Sequence, residues 1–149
     1  MLPRTYNTAV FNRSLHGHDV GVVEGMMGLF DGYDGKSEAG STAEMAKWLG
    51  LPVILVVDAS AMARSVAAVI HGFQHFDPEL NVAGVIFNKI GGPGHLRYLE
   101  EAVCDVPNIT LFGGLPSDET ISLPERHLGL VTTQEQPVST GQILSLIHI

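Results

Sequence analysis

Three short apolar runs, separated by segments of helical length, constrain the fold of this chain more than any other feature. The runs are PVILVVDA (52–59), VAGVIFNKI (82–90) and ITLFGGLP (109–116), and the segments between them are 62–76 and 95–105. The first run is continuously apolar, which is typical of a strand buried on both faces of a parallel sheet. The alternation predicts an α/β fold, with a parallel sheet flanked by helices and joined by right-handed crossovers.

Two further elements are predicted nearer the N-terminus. The segment DVGVVEG (19–25) predicts a buried strand that enters a glycine-rich loop. The segment GSTAEMAKWLG (40–50) predicts a short helix, because Ser and Thr open it and glycine follows it. Ligands bind beyond the carboxyl ends of strands in such sheets. The polar residues at those ends are therefore the first candidates for function: Glu24, Asp58, Asn88 and the turn 116–118.

Composition excludes several classes of protein. The 149 residues suffice for one domain with a core, and their net charge of −8 disfavours nonspecific binding to nucleic acid or to anionic membranes. Cys104 is the single cysteine, so no intrachain disulfide is possible. No apolar run approaches the roughly 20 residues of a membrane-spanning helix. We expect a cytoplasmic protein with no membrane partner.

The tripeptide Gly35-Lys36-Ser37 resembles the end of a Walker A phosphate-binding loop. That motif requires a glycine five residues before the second glycine, and Phe30 stands at this position. No Gly-x-x-x-x-Gly-Lys-Ser/Thr occurs elsewhere in the sequence. The alternative interpretation is that Lys36 lies in an exposed, flexible loop.

Glu24 is a candidate metal ligand. A carboxylate at the end of a buried strand, followed by Gly25 and Gly28, could hold Mg²⁺ while water and phosphate oxygens complete its coordination. The glycines would let backbone and ligand approach each other closely. The alternative is that Glu24 merely ends a strand and forms a salt bridge or faces water.

Three blocks of sequence, in this order and spacing, carry a family resemblance. They are VVEGMMGLFDGYDG with GSTAEMAKWLGLPVILVVDAS, then VAGVIFNKIGGPGH, then LPERHLGL. From about residue 12 to residue 130 the chain closely resembles the synthetase domain of cobyrinic acid a,c-diamide synthases. These enzymes belong to the dethiobiotin synthetase-like branch of the P-loop superfamily.

The resemblance implies a chemistry. In this family ATP and Mg²⁺ activate a carboxylate of a corrinoid ring, and ammonia attacks the acyl phosphate to give an amide. The ammonia comes from glutamine, which a C-terminal glutaminase domain cleaves. The enzymes are thus ligases of cobalamin biosynthesis, and the implied small-molecule partner of this chain is a corrinoid.

The resemblance also implies site residues, although it names no catalytic residue. The implied metal ligand is Glu24; the implied cofactor-binding residues are Gly25, Gly28, Asn88, Ser117 and Asp118; and the implied substrate-binding residues are Asp31, Ser41, Thr42, Arg126 and His127.

Structural alternatives stay open for several of these residues. Ser41 could be a helix N-cap that needs no ligand. Asn88, which the resemblance aligns with an adenine-reading asparagine, could be an ordinary turn residue. Arg126 and His127 could serve a structural ion pair with Glu125.

The chain departs from its family in one respect that affects function. The Walker A loop, the strand before it and the glutaminase domain have no counterpart in the sequence. We therefore expect residues 1–149 to form one partial synthetase domain that does not hydrolyse ATP appreciably by itself. An open sheet edge predicts a homodimer, and a partner chain could supply the missing synthetase or glutaminase parts. The alternatives are a non-catalytic module that binds nucleotide or corrinoid, or a gene fragment without a function of its own.

Overall fold

A computed structural model describes residues 2–118 and two short strands beyond them. The elements in chain order are α1 (Arg4–Leu15), α2 (Thr42–Leu49), β1 (Val53–Asp58), α3 (Ser65–Phe76), β2 (Val82–Ile90), α4 (Pro93–Val103), β3 (Thr110–Pro116), β4 (Glu125–Arg126) and β5 (Gly129–Leu130). None of the helices in this described part is long and apolar enough to span a bilayer. The chain divides into two compact units, the first formed by residues 1–53 and 77–81 and the second by residues 54–76 and those from 82 onward.

The second unit contains a parallel sheet of three strands in the order β1-β2-β3. Strand β2 pairs with β3 in parallel, with Gly84 opposite Thr110 and Ile90 opposite Pro116. At the other side of β2, the N–H of Ala59 donates a hydrogen bond of 2.9 Å to the carbonyl of Asn88. Helix α3 connects β1 to β2, and α4 connects β2 to β3. The predicted α/β fold, a parallel sheet flanked by helices, is confirmed.

The core of this unit lies between the sheet and its two helices. Among the described residues of this unit, the largest side chains without exposed surface are Val85 and Phe87 on β2, Val66 and Ile70 on α3, and Leu99 on α4. Helix α3 contacts β2 and α4 contacts β3 and α3. Burial of such side chains contributes about 1.5–3 kcal/mol each. Together they fix the position of β2, whose carboxyl end carries Asn88.

The prediction that β1 is buried on both faces is wrong. Leu55 and Val57 are buried, whereas Ile54 is 48% exposed and Val56 is 66% exposed. Phe112 on β3 is likewise 59% exposed. Helices α3 and α4 cover one face of the sheet, and no other described element of this unit covers the opposite face. A continuous apolar run shows that both sides of a strand are hydrophobic. It does not show whether helices of the same chain pack against both sides.

The first unit contains α1, α2 and the glycine-rich segment between them. The predicted helix of 40–50 is confirmed as α2, with Ser41 as its N-cap and Gly50, at φ +65°, as its C-cap. Glycine suits the C-cap position because a left-handed backbone is costly for residues with a side chain. The helix buries Ala43 and Ala46 and contacts α1.

The strand predicted at 19–25 does not form. Residues 18–26 have no regular secondary structure, and their apolar side chains are exposed: Val20 by 76%, Val22 by 91% and Val23 by 46%. Among the described strands none pairs with this segment. A strand exists only through hydrogen bonds to a neighbouring strand, so an apolar sequence alone does not produce one here.

Candidate functional site

Asp58, Asn88 and Lys89 lie together where β1 and β2 end. The Lys89 ammonium lies 2.8 Å from Oδ2 of Asp58, while the other carboxylate oxygen accepts a 3.1 Å hydrogen bond from the Ser60 N–H. The backbone N–H of Lys89 donates to Oδ1 of Asn88 at 2.9 Å. These contacts put one carboxylate, one amide and one ammonium group at the ligand-binding edge that the topology predicts.

Lys89 has an unusual backbone conformation. Its φ is +57°, a left-handed value that costs a non-glycine residue roughly 1–2 kcal/mol. Strained residues of this kind concentrate at functional sites, where the surrounding contacts hold them. Here the Ala59–Asn88 and Asp58–Lys89 contacts hold the residue from the end of β1. This conformation falls within the irregularity of the β2–β3 register between Phe87 and Ile90, and Asn88 lies directly before it, near the carboxyl end of β2.

The Asp58 carboxylate is held in its charged form. Hydrogen bonding from Lys89, followed by hydrogen bonding from Ser60, lowers the pKa of Asp58 to about 2. Both members of the ion pair are about half exposed, so the pair adds little to stability because water screens it. Its effect is to fix where the two charges lie.

Asn88 retains the capacity to bind a base. Its side-chain oxygen accepts a hydrogen bond from Lys89, but a carbonyl oxygen has two lone pairs, so it can accept a second hydrogen bond. Its NH₂ group can donate at the same time. The structure agrees with both interpretations of Asn88, because the residue precedes the irregular backbone at Lys89 and also presents an amide near the carboxyl end of β2.

Glu24 and Gly25 lie beside the start of α2. A Cβ added at Gly25 would lie 2.7 Å from Cγ2 and 2.8 Å from Oγ1 of Thr42, so only glycine fits without a shift. Glu24 is exposed and belongs to no strand. The backbone next to this carboxylate thus contacts Thr42, and the structure brings these predicted residues together within the first unit.

Gly28 and Asp31 form a turn in the same unit. The N–H of Asp31 donates to the carbonyl of Gly28 at 2.9 Å, and a Cβ added at Gly28 would collide with the Asp31 carboxylate. Gly28 therefore allows the Asp31 side chain to fold back over the turn. The Asp31 carboxylate is exposed, so it is available to a ligand.

Ser41 acts as the cap of α2. Its side chain is fully buried, and its hydroxyl oxygen accepts a 3.1 Å hydrogen bond from the Glu44 N–H. The Glu44 carboxylate in turn accepts from the Gly40 N–H at 2.8 Å, and the Ala43 N–H donates to the carbonyl of Leu29 at 2.9 Å. The arrangement is similar to a capping box, except that the Glu44 carboxylate bonds the residue before the N-cap and not the N-cap itself. It takes up the N–H groups of Ala43 and Glu44 at this helix end and supports the structural alternative for Ser41.

The Gly-Lys-Ser tripeptide lies in a turn closed by an aspartate. Asp34 accepts hydrogen bonds from the N–H groups of Lys36 at 2.7 Å and Ser37 at 2.8 Å, and from the Ser37 hydroxyl at 3.1 Å. These bonds lower the pKa of Asp34. A phosphate-binding loop aims the corresponding donors at phosphate, whereas here a carboxylate of the same chain takes them. The failed Walker A spacing and the geometry therefore agree.

We expect Gly32→Ala to destabilise the protein by about 1–3 kcal/mol in urea unfolding. A Cβ at residue 32 would collide with the carbonyl oxygen of Ala39 and lie 3.2 Å from the Ser41 nitrogen. These are backbone atoms that cannot move aside cheaply. Gly35→Ala is the control, since nothing lies within 4 Å of its Cβ position. Equal effects of the two substitutions would contradict the close packing of Gly32 against the backbone of residues 39–41.

The remaining predicted residues receive less support. Ser117 and Asp118 follow β3 and are exposed. Arg126 is described through its backbone, which pairs antiparallel with Gly129 in the two-stranded sheet β4-β5. His127 lies outside the described residues. Their assignment to cofactor and substrate stays a prediction.

A divalent cation at Glu24 would depend mainly on oxygens from outside the protein. Within residues 2–118 no three His, Cys, Asp or Glu side chains cluster as a metal site. A single exposed carboxylate fits Mg²⁺, which retains water and takes phosphate oxygens in preference to a protein cage. Glu24 could hold the ion in that way when a phosphate ligand is present.

Sequence reasoning missed two residues of this edge. Lys89 pairs with Asp58, and His95 on α4 contacts the loops after β1 and β2. The signals were a lysine directly after the candidate asparagine and a histidine shortly after two glycines. Neither pattern is specific enough to be recognised without coordinates.

Comparisons with known proteins agree with the fold and the resemblance. The chain is 47% identical over 129 residues to the cobyrinate a,c-diamide synthase of Leptospira interrogans, covering 87% of this chain and 28% of that protein. It is 45% identical over 139 residues to the enzyme of the same name from Salmonella typhimurium, covering 93% and 30%. It is 48% identical over 128 residues to the enzyme of the same name from Methanococcus maripaludis, covering 85% of this chain and 29% of that protein.

The chain thus spans less than a third of the length of these relatives. No solved structure matches it. The sequence profile described as an AAA domain matches residues 4–125, which include the glycine-rich segment and all three strands of the parallel sheet. On this match the chain belongs to the AAA domain family.

Proposed function

We propose that this chain is part of the ATP-dependent machinery that amidates corrinoid carboxylates, as the name of its relatives suggests. The observation that carries the proposal is the amide of Asn88, held at the carboxyl end of β2 within a segment similar to the synthases. In this role Asn88 would read the adenine edge through one donor and one acceptor. Ser117 and Asp118, after the neighbouring strand, would lie on the same side of the nucleotide.

Residues of the first unit have proposed roles of their own in binding the metal and the substrate. Glu24 would bind Mg²⁺, and Gly25 and Gly28 would allow close approach of phosphates and substrate. Asp31 and Thr42 would contact the substrate. Support comes from the Gly25–Thr42 and Gly28–Asp31 contacts, which group these residues locally. Arg126 and His127 remain candidates for the substrate side, whereas the burial of Ser41 favours a structural role.

We propose further that the chain does not hydrolyse ATP by itself. Its 149 residues contain no Gly-x-x-x-x-Gly-Lys-Ser/Thr, and the Gly-Lys-Ser tripeptide gives its donors to Asp34. Phosphoryl transfer depends on positioning and on neutralisation of the phosphate charge. Without a phosphate cradle those functions would need a partner chain, which could supply a synthetase or glutaminase part.

Titration calorimetry with Mg-ADP, Mg-ATP and cobyrinic acid tests this proposal. We expect the two nucleotides to bind with affinities within about tenfold of each other, because the terminal phosphate has no cradle. No phosphate should be released from ATP. Binding of either adenine nucleotide would support the adenine site.

The matched variants are Asn88→Ala and Asn12→Ala. The first removes the proposed bidentate contact and should weaken ADP binding by about 10–100-fold. The second removes an exposed asparagine from α1 and should leave binding unchanged. ATP turnover by the chain alone would overturn the proposal that it does not hydrolyse ATP by itself. Absence of nucleotide binding would overturn the adenine site, and binding of the corrinoid alone would favour a non-catalytic module.

We also propose a homodimer, supported by the uncovered apolar residues Ile54, Val56 and Phe112 on one sheet face. Light scattering after size exclusion should give twice the chain mass of 15.9 kDa. A monomer at every concentration tested would contradict the proposal.

A further inference from the structure

We infer that His95 is a positioning residue, which ties the loop after β1 to the loop after β2 and thereby holds Asn88 in place. The structural basis of the inference is a set of hydrogen bonds within the second unit. Its functional meaning rests on the proposed adenine-binding role of Asn88. Neither the family profile nor the names of the relatives assign a role to this histidine.

The two ring nitrogens of His95 contact different loops. Nδ1 accepts a 2.9 Å hydrogen bond from the N–H of Gly91, three residues after Asn88. Nε2 lies 2.6 Å from the carbonyl oxygen of Met62, four residues after Asp58. One side chain near the start of α4 therefore spans both loops that leave the ligand-binding edge.

Only one form of the imidazole satisfies both contacts. A backbone N–H can only donate, so Nδ1 must carry a lone pair, and a carbonyl oxygen can only accept, so Nε2 must carry the proton. His95 is therefore neutral, with its proton on Nε2. A phenyl ring would fill much the same space without making either bond.

Two further contacts show what the bridge supports. The Ala59 N–H donates to the Asn88 carbonyl at 2.9 Å, and the Asp58 carboxylate binds the Lys89 ammonium at 2.8 Å. With the His95 bridge, the two loops are joined at three places around one strained residue, Lys89. Removal of the bridge would leave the turn after Asn88 held on one side only. The side-chain amide of Asn88 would then sample several orientations.

Three variants separate the bridge from simple packing. His95→Phe keeps the ring and removes both bonds. His95→Asn places an acceptor near the Nδ1 position and restores the contact to Gly91 alone, whereas His95→Gln places a donor near the Nε2 position and restores the contact to Met62 alone. His71→Phe is the control, because that histidine lies exposed on α3.

The first measurement is independent of any ligand. Long-range ¹H–¹⁵N correlation spectra of the wild-type chain should show a neutral His95 with the proton on Nε2. In His95→Phe the amides of Gly91 and Ala59 should exchange with solvent at least about tenfold faster, as expected when about 1.4 kcal/mol of local stabilisation is lost. His95→Asn should slow the exchange of Gly91 again. A proton on Nδ1, or unchanged exchange in His95→Phe, would overturn the inference.

The second measurement asks whether the bridge acts on binding. If the wild-type chain binds Mg-ADP, His95→Phe should weaken binding by about tenfold at a temperature where the variant is fully folded, and each half-bridge variant should lie between the two. Unchanged affinity in His95→Phe would overturn the positioning role. If the wild-type chain binds no nucleotide, the proposed function fails, while exchange at Gly91 and Ala59 still decides whether His95 ties the loops.

Discussion

Replacing Phe87 with alanine is expected to lower the free energy of unfolding by about 3–5 kcal/mol, the range for a large aromatic residue removed from a packed core. Phe87 lies on β2, the central strand of the parallel sheet, and has no exposed surface. Alanine would leave a cavity beside residues that cannot collapse into it without moving the sheet. The measurement is urea unfolding followed by circular dichroism.

Phe112→Ala is the matched control, with the same change of side chain on the neighbouring strand β3. Phe112 is 59% exposed, so its removal takes less apolar surface from the folded state. We expect a loss below about 1.5 kcal/mol, part of which reflects the contact between its ring and Gly84. Similar losses in the two variants would show that the covered and uncovered faces of the sheet have been assigned incorrectly.

Phe87→Ala also tests how the core supports the site. Side chains of successive strand residues point to opposite faces. Phe87 therefore anchors β2 in the core, while Asn88 lies on the other side of the strand near its carboxyl end. A variant that stays folded at low temperature should show altered side-chain amide signals of Asn88 in NMR spectra. Phe112→Ala should leave those signals close to the wild-type positions.

The elements that sequence predicted correctly are those whose burial and end signals agree. Strand β2 was predicted at 82–90 and occupies those residues, because apolar residues dominate it and both of its neighbours belong to the same chain. Helix α2 was predicted from its Ser and Gly caps, and both residues cap it. In these cases the information lies within the segment itself.

The errors arise where the outcome depends on a partner surface. Residues 19–25 have a strand-like sequence, but no described strand pairs with them, and Val22 is exposed. Strand β1 has apolar residues on both sides, but only one side is covered within its unit. The hydrophobic pattern of a segment predicts which of its side chains can be buried. It does not predict whether another strand or helix is present to pack against them.

For the candidate site, sequence could identify residue types but not the partners that compete for them. Asn88 and Asp58 lie at strand ends, as the alternation of elements predicts. The burial of Ser41 as the N-cap of α2, and the capture of the Lys36 and Ser37 N–H groups by Asp34, depend on local geometry. Such hydrogen bonds decide whether a polar residue faces a ligand or completes the fold.

Replacing Lys47 with methionine is expected to destabilise the chain by about 2–4 kcal/mol. The side chain is only 17% exposed, and its ammonium contacts Glu38, Asp77 at 2.7 Å and Glu79 at 3.7 Å. Methionine preserves the aliphatic stem but leaves the mostly buried Asp77 carboxylate, beside the half-exposed Glu38, without a cation. Loss of one partner from a partly buried ion pair costs more than loss of a surface pair.

Arg97→Met is the control for Lys47→Met. Arg97 pairs with Glu101 at 3.8 Å on α4, and the two side chains are 69% and 65% exposed. Its removal should cost less than about 0.5 kcal/mol. The comparison separates the loss of an ion pair in water from the loss of one that holds α2 to residues 77–81 within the first unit.

The pH dependence of the Lys47→Met effect provides a second, independent check. Lys47 lowers the pKa of Asp77 below its ordinary value near 3.8, and Asp77, with Glu38, raises that of Lys47 above its ordinary value near 10.5. The lowered pKa stabilises the fold above about pH 4, and this contribution is lost as pH falls through the folded-state pKa. The raised pKa of Lys47 stabilises the fold below about pH 10, and this contribution is lost only in stronger base.

The stability difference between wild type and Lys47→Met should therefore stay level between about pH 5 and pH 9 and shrink below about pH 4, where the carboxylates take up protons. Urea unfolding at several pH values measures this difference directly. A difference that persists undiminished at pH 3 would mean that Lys47 stabilises the unit through packing of its stem. In that case the charges of Glu38 and Asp77 would contribute little, although they lie within bonding distance of the ammonium group.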